Sequence, residues 1–180
     1  MNALSTGFKD LIVLEPKVLG DARGYFMESY NQKTLQNLGV NVIFKQDNQS
    51  RSAKGVLRGL HFQHPPYAQT KLVRVLSGSV LDVVVDLRKA EPTFGKHFAI
   101  ELSAENKRQI LVPKGFAHGF VVLSDIAEVF YKCDEFYNRD ADSGIHYSSA
   151  DVDWRIPEGS LLLSDKDKNL PSIKEAKLRF

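Results

Sequence analysis

The stretch Val56-Leu57-Arg58-Gly59-Leu60-His61-Phe62-Gln63-His64-Pro65-Pro66 is where side chains able to do chemistry lie closest together. An imidazole titrates near neutral pH, so His61 and His64 can move protons or bind a metal, and a guanidinium such as Arg58 can grip an anion. If Val56 to Phe62 is one strand, alternation puts Arg58 and His61 on opposite faces unless Gly59 marks a bulge, as glycine inside a strand often does. A plainer account makes Arg58 a surface cation and His61 a core histidine satisfied by a backbone carbonyl. His118, in Pro113-Lys114-Gly115-Phe116-Ala117-His118-Gly119-Phe120, sits among glycines and aromatics, where a polar side chain has little local reason to be. It too has a plain alternative as a buried, satisfied histidine.

Three histidines in a β-rich chain invite a metal, but their spacing argues against one. An open Fe, Mn or Zn site on such a scaffold takes two histidines one residue apart on a strand, a carboxylate a few residues on, and a third histidine from a distant strand. His61 and His64 are three apart, two prolines follow, and Tyr67-Ala68-Gln69-Thr70-Lys71 offers no carboxylate and ends in a cation. No metal is expected.

The elements that must position these groups are mostly strands. Short β-rich apolar runs separated by turn signals are the pattern of an antiparallel sandwich or barrel. Strands are predicted at 11–14, 25–30, 42–46, 56–62, 72–76, 80–87, 97–102, 109–112, 119–123 and 128–133. Ser77-Gly78-Ser79 reads as a hairpin turn of firm register. Asn31 to Leu38, with Leu35 and Leu38 three apart and Gly39 just beyond, reads as a short helix with an Asn N-cap and a Gly stop. Ser172 to Leu178 is a second candidate helix. With no repeat or linker, residues 1–180 read as one domain of about ten strands in two packed sheets of jelly-roll type.

Composition bounds the function. The chain has 180 residues, 43% of them hydrophobic, with 24 Lys+Arg against 22 Asp+Glu. That is too apolar and too nearly neutral for a disordered chain, and it argues against a dedicated nucleic-acid binder, which carries a marked basic excess. No apolar run approaches the roughly 20 residues of a membrane-spanning helix. The N-terminal residues lack a basic leader with an apolar core, so a cytoplasmic location is expected. The single cysteine, Cys133, cannot form an internal disulfide, and a buried inert thiol is its expected role.

Seven motifs, in order, resemble the dTDP-4-dehydrorhamnose 3,5-epimerase family. They are Asp21-Ala22-Arg23-Gly24-Tyr25-Phe26, Gln46-Asp47-Asn48, Arg58-Gly59-Leu60-His61-Phe62-Gln63, Lys71-Leu72-Val73-Arg74, Gly115-Phe116-Ala117-His118-Gly119-Phe120, Tyr131-Lys132-Cys133 and Leu163-Ser164-Asp165-Lys166-Asp167. The resemblance implies an all-β fold, a metal-free cupin jelly roll (double-stranded β-helix) of two packed antiparallel sheets with short peripheral helices. It implies a homodimer that inverts C3 and C5 of a 4-keto-6-deoxyglucose nucleotide without any cofactor.

The resemblance also implies roles. His61 is the base, Asp167 orients its ring, Tyr131 supplies a proton from the opposite face, and Lys71 stabilises the charge that develops on the C4 oxygen. Arg23 and Arg58 hold the diphosphate, with Lys166 and His118 as further contacts. Phe26, Glu28, Gln46, Asp47 and Asn48 match substrate-binding positions, and Tyr137 an aromatic that stacks on the thymine ring. Some of these come from an exchanged N-terminal strand of a partner subunit. Asp142 stands where the family usually has Glu. A relative that inverts a single centre fits the same residues. A metal-dependent enzyme of this fold conflicts with the histidine spacing, and a non-catalytic carbohydrate-binding jelly roll has no need of the Lys, Tyr, His and Asp set.

Overall fold

A computed structural model describes residues 1–180. Thirteen strands run in chain order: β1 Asn2–Ser5, β2 Ile12–Glu15, β3 Val18–Asp21, β4 Gly24–Met27, β5 Gln46–Ala53, β6 Leu57–Gln63, β7 Lys71–Ser77, β8 Ser79–Asp86, β9 His97–Ser103, β10 Gln109–Val112, β11 Phe116–Val122, β12 Ile126–Cys133 and β13 Asp142–Gly144. Two short helices, α1 Gln32–Asn37 and α2 Asp165–Lys168, are peripheral. One sheet has the order β1-β2-β10-β7-β12-β5 and the other β13-β6-β11-β8-β9, while β3 and β4 pair only with each other. Every strand pairing is antiparallel, in the two-sheet arrangement expected of a jelly roll. No helix is long and apolar enough to cross a membrane.

The core has two layers, and β8 shows why. Its residues Val80 and Val84 pack between the sheets with Val73, Val75, Val129 and Ile110. Leu81, Val83 and Val85 point the other way and are covered by Trp154, Leu161, Ile173 and Phe180 of the C-terminal segment. A strand buried on both faces reads as a continuous apolar run, which is how it appears in the sequence.

Some expected elements differ. Ser77-Gly78-Ser79 is not a hairpin, because β7 and β8 belong to different sheets. Gly78, at φ +73°, turns the chain from one sheet to the other, so close to the next strand that a Cβ there would meet the Ile126 carbonyl oxygen at 2.1 Å. Residues 42–46 form no strand before Gln46; Phe44 instead packs edge-on against Tyr30, with ring centroids 5.7 Å apart. The strand that follows, β5, has no large apolar residue and escaped the hydrophobic pattern, yet it pairs with β12 along its full length. Helix α1 forms as expected, with the Asn31 side chain accepting from the Thr34 N–H and Gly39 at φ +85° beyond its end. The tail candidate at 172–178 is only a turn, held by N–H groups of Glu175 and Ala176 donating to the Ser172 carbonyl.

Candidate active site

A cavity of about 470 Å³ opens between the two sheets, and Arg58, His61, Lys71, His118, Tyr131, Lys166 and Asp167 all line it. Strand β6 supplies Arg58 and His61 together because its alternation is broken. His118 of β11 faces His61 while Phe120 faces Arg58, so Gly119 alone spans Gly59 and Leu60. This is a β-bulge. It requires glycine on both strands: Gly59 has φ +134°, and a Cβ on it would lie 2.6 Å from the Gly119 Cα. Leu57, Leu60 and Phe62 anchor the strand in the outer core layer, leaving Arg58 and His61 to face the cavity.

Asp167 reaches His61 from the C-terminal segment. Its Oδ1 lies 2.6 Å from His61 Nε2, and the Gly59 N–H donates to Oδ2 at 3.4 Å. Ser164 caps α2 by accepting from the Asp167 N–H at 3.1 Å, which aims the carboxylate inward. Asp167 is 3% exposed. Burial alone would raise its pKa, but the hydrogen bond and charge of His61, with the Gly59 and Ser164 donors, hold it below the usual carboxylate range. A carboxylate kept ionised beside an imidazole fixes the orientation of the ring.

Across the cavity, β7 begins with Lys71 and β12 carries Tyr131. The Lys71 ammonium sits 5.9 Å from the Tyr131 ring centroid. Burial lowers the Lys71 pKa, against the opposing pull of Cys133, Asp142 and Asp82. Burial raises the Tyr131 phenol, helped by Cys133 and opposed chiefly by Arg58. A phenol with a raised pKa holds its proton until a stronger base forms beside it. The Cys133 thiol is buried and pushed up to about 11, chiefly by desolvation, so it carries no thiolate at neutral pH.

The fold, the cavity and its ordered residues agree with a match of residues 5–175 to the model of dTDP-4-dehydrorhamnose 3,5-epimerase. The enzyme of that name from Shigella flexneri is 55% identical over 170 residues, 94% of each chain. The chain belongs to the dTDP-4-dehydrorhamnose 3,5-epimerase family. The crystal structure of the family member from Elizabethkingia anophelis superposes with a TM-score of 0.92 at 52% identity, covering 97% of both chains. That of the Legionella pneumophila enzyme, in complex with dTDP-4-keto-L-rhamnose, gives 0.92 at 46% identity and covers 97% of this chain and 93% of its own.

The resemblance to this family nominated a second group of residues; Gln46, Asn48, Tyr137 and Asp142 do not themselves line the cavity but are linked by hydrogen bonds to Lys166, which does. Gln46 Nε2 donates to Asn48 Oδ1 at 3.0 Å, while Gln46 Oε1 accepts from the Tyr137 N–H at 3.0 Å. The Tyr137 hydroxyl donates to Asp142 Oδ2 at 3.2 Å, and Lys166 Nζ donates to the same oxygen at 2.5 Å. Asp47 points to the opposite face of β5, where Lys132 Nζ donates to it at 2.9 Å. Arg23, Phe26 and Glu28 lie outside the cavity lining. Arg23 is paired with Asp21 at 2.6 Å on the β3–β4 hairpin, Phe26 is 69% exposed there, and Glu28 accepts from Asn31 and Thr34 beside α1.

His118 has a partner that sequence reasoning missed. Its Nε2 lies 2.8 Å from Oδ2 of Asp82, which is fully buried and has no partner for Oδ1. The available signal was Asp82, a carboxylate in the middle of the otherwise apolar run from Val80 to Val85. His64 is not in the cavity; it stacks against Phe180 with centroids 6.1 Å apart. No three His, Cys, Asp or Glu side chains are grouped so as to hold a metal ion.

Proposed function

We propose that the protein inverts C3 and C5 of dTDP-4-dehydro-6-deoxy-D-glucose to give dTDP-4-dehydro-L-rhamnose, without a cofactor. The observation that carries this reading is the arrangement of one cavity. A histidine backed by a buried carboxylate projects from one sheet, and a phenol and an ammonium project from the other.

The hydrogens at C3 and C5 flank the C4 ketone, so either can leave as a proton if the resulting enolate is stabilised. His61 takes that proton on one face, and Asp167 stabilises the imidazolium. The electron pair moves onto the C4 oxygen, which the Lys71 ammonium faces. One such donor in a desolvated site is worth about 3 to 4 kcal/mol. The enolate collapses by taking the Tyr131 proton on the other face, which inverts the centre. Proton exchange with solvent returns His61 and Tyr131 to their starting forms, and the same residues serve the second centre.

Arg58 and Lys166, with His118, bind the diphosphate, since a guanidinium matches paired phosphate oxygens. Gln46, Asn48 and Tyr137 receive the nucleoside. The whole chain acts as one domain in a cytoplasmic homodimer. Leu19, Tyr25 and Phe26 lie exposed on the β3–β4 hairpin, an unusual cost for an isolated chain, and Arg23 lies with them outside the lining of its own cavity. Exchange of this N-terminal arm brings Arg23, Phe26 and Glu28 to the partner's pocket. Proton NMR in deuterium oxide tests the reaction: the nucleotide ketosugar exchanges both its C3 and C5 hydrogens. Exchange at one centre alone would restrict the protein to single epimerisation.

A further inference from the structure

The same strand that carries Arg58 and His61 carries one more inward residue, Gln63, which is 4% exposed and stands outside the cavity. Its amide is engaged entirely with loops. Nε2 donates to the carbonyl of Tyr67 at 2.7 Å and to that of Phe136 at 3.2 Å, and Oε1 accepts from the Asn138 N–H at 2.7 Å. Phe136 and Asn138 are the immediate neighbours of Tyr137. Tyr137 is 58% exposed and, apart from its hydroxyl bond to Asp142, its ring has no packed core to hold it, so its position depends largely on its backbone. Gln63 clasps that backbone on both sides, and Gln46 holds the N–H between.

We propose that Gln63 is a positioning residue for the nucleoside end of the substrate, fixing Tyr137 as a preformed platform for the base. The inference rests on the epimerase reading for the identity of that base. Only a primary amide of this length supplies donors to two carbonyls and an acceptor to an N–H at once. A carboxylate keeps the shape but loses both donors, leaving two carbonyls facing negative charge. Ordering Tyr137 before the substrate arrives removes part of the entropy that binding would otherwise have to oppose. The diphosphate cations and the proton-transfer groups do not touch Gln63, so its loss weakens nucleoside binding and spares the chemistry.

The test compares Gln63→Glu and Gln63→Met with the wild type by calorimetry, using dTDP and inorganic pyrophosphate as separate probes, and by saturating kinetics. Gln63→Met keeps the length without polar atoms and serves if a buried carboxylate prevents folding. The expected result is a Kd for dTDP and a KM for the ketosugar nucleotide raised tenfold or more, with kcat and the pyrophosphate Kd within about twofold. An unchanged dTDP Kd overturns the proposal. So does a parallel loss of kcat and pyrophosphate binding, which would make Gln63 a general support of the cavity. Wild-type protein that binds dTDP but exchanges no protons would sink the epimerase reading, while the dTDP comparison would still judge Gln63.

Discussion

Arg58 and His61, three residues apart on β6, face one cavity because Gly119 on the neighbouring strand spans two residues in place of one. The bulge therefore belongs to the proposed catalytic apparatus as much as the side chains do. It converts a spacing that normally separates two groups into one that, on the proposed mechanism, joins an anion-binding cation to a base.

A methyl group at Gly119 tests this. Its Cβ would lie 2.5 Å from the Arg58 carbonyl oxygen and 2.9 Å from the Gly59 Cα, both backbone atoms that cannot swing away. Gly119→Ala is expected to cost about 1 to 3 kcal/mol of stability, as overpacking does. It should also lower kcat/KM at least tenfold in the fraction that remains folded. Thermal unfolding and steady-state kinetics on the same preparation measure both. An active, fully stable variant would mean that the strands separate easily there.

Asp167 makes two separable predictions. Asp167→Asn keeps the shape of the contact to His61 but removes the charge that stabilises an imidazolium, so kcat should fall about 10²- to 10⁴-fold, the range of a general-base contribution. Stability changes differently with pH. The Asp167 carboxyl is held below its ordinary value in the fold, so its stabilising effect is present above the unfolded-state pKa, near 3.9, and is lost as pH falls through the lower folded value. Wild-type protein should therefore lose more stability than Asp167→Asn between about pH 5 and pH 2. Denaturant titrations across that range measure the difference.

Lys71 and Tyr131 titrate in opposite directions from their ordinary values, the amine lowered and the phenol raised, each mainly by burial. The Lys71 ammonium, which the proposed mechanism needs charged, therefore loses its proton at a lower pH than an ordinary lysine does. The alkaline limb of kcat should fall below the ordinary lysine pKa of about 10.4. Lys71→Arg, whose guanidinium stays charged, should move that limb upward even if its overall rate is about 10²-fold lower. A limb that stays put in Lys71→Arg would assign it to another group.

What the sequence disclosed follows from how each residue is held. Strand β8 was legible because burial on both faces left a continuous apolar run, and α1 because Asn31 and Gly39 carry their own local geometry. Strand β5 was not, because its less exposed face, Gln46, Asn48, Ser50 and Ser52, is as polar as its other face, and alternation has no apolar half to reveal it. The turn at Gly78 was visible, but its destination was not, since a left-handed glycine serves equally for a hairpin and for a crossing between sheets. At the site, Gly59 raised the possibility of a bulge without deciding it. Its meeting with Gly119 is a long-range contact that no local pattern encodes. The roles of His61, Lys71, Tyr131 and Asp167 came from family resemblance; the structure contributes their gathering in one cavity. Asp82 and Gln63 escaped notice because their chemistry lies in the partners they meet, His118 and the Tyr137 loop.

The central claim is that His61 removes the protons at both centres, and solvent exchange in the His61→Asn variant tests it most directly. Proton NMR of dTDP-4-dehydro-6-deoxy-D-glucose in deuterium oxide should show wild-type protein replacing the C3 and C5 hydrogens. His61→Asn, folded by circular dichroism and still binding dTDP, should replace neither above the uncatalysed rate. Exchange at either carbon at the wild-type rate in that variant would contradict the account.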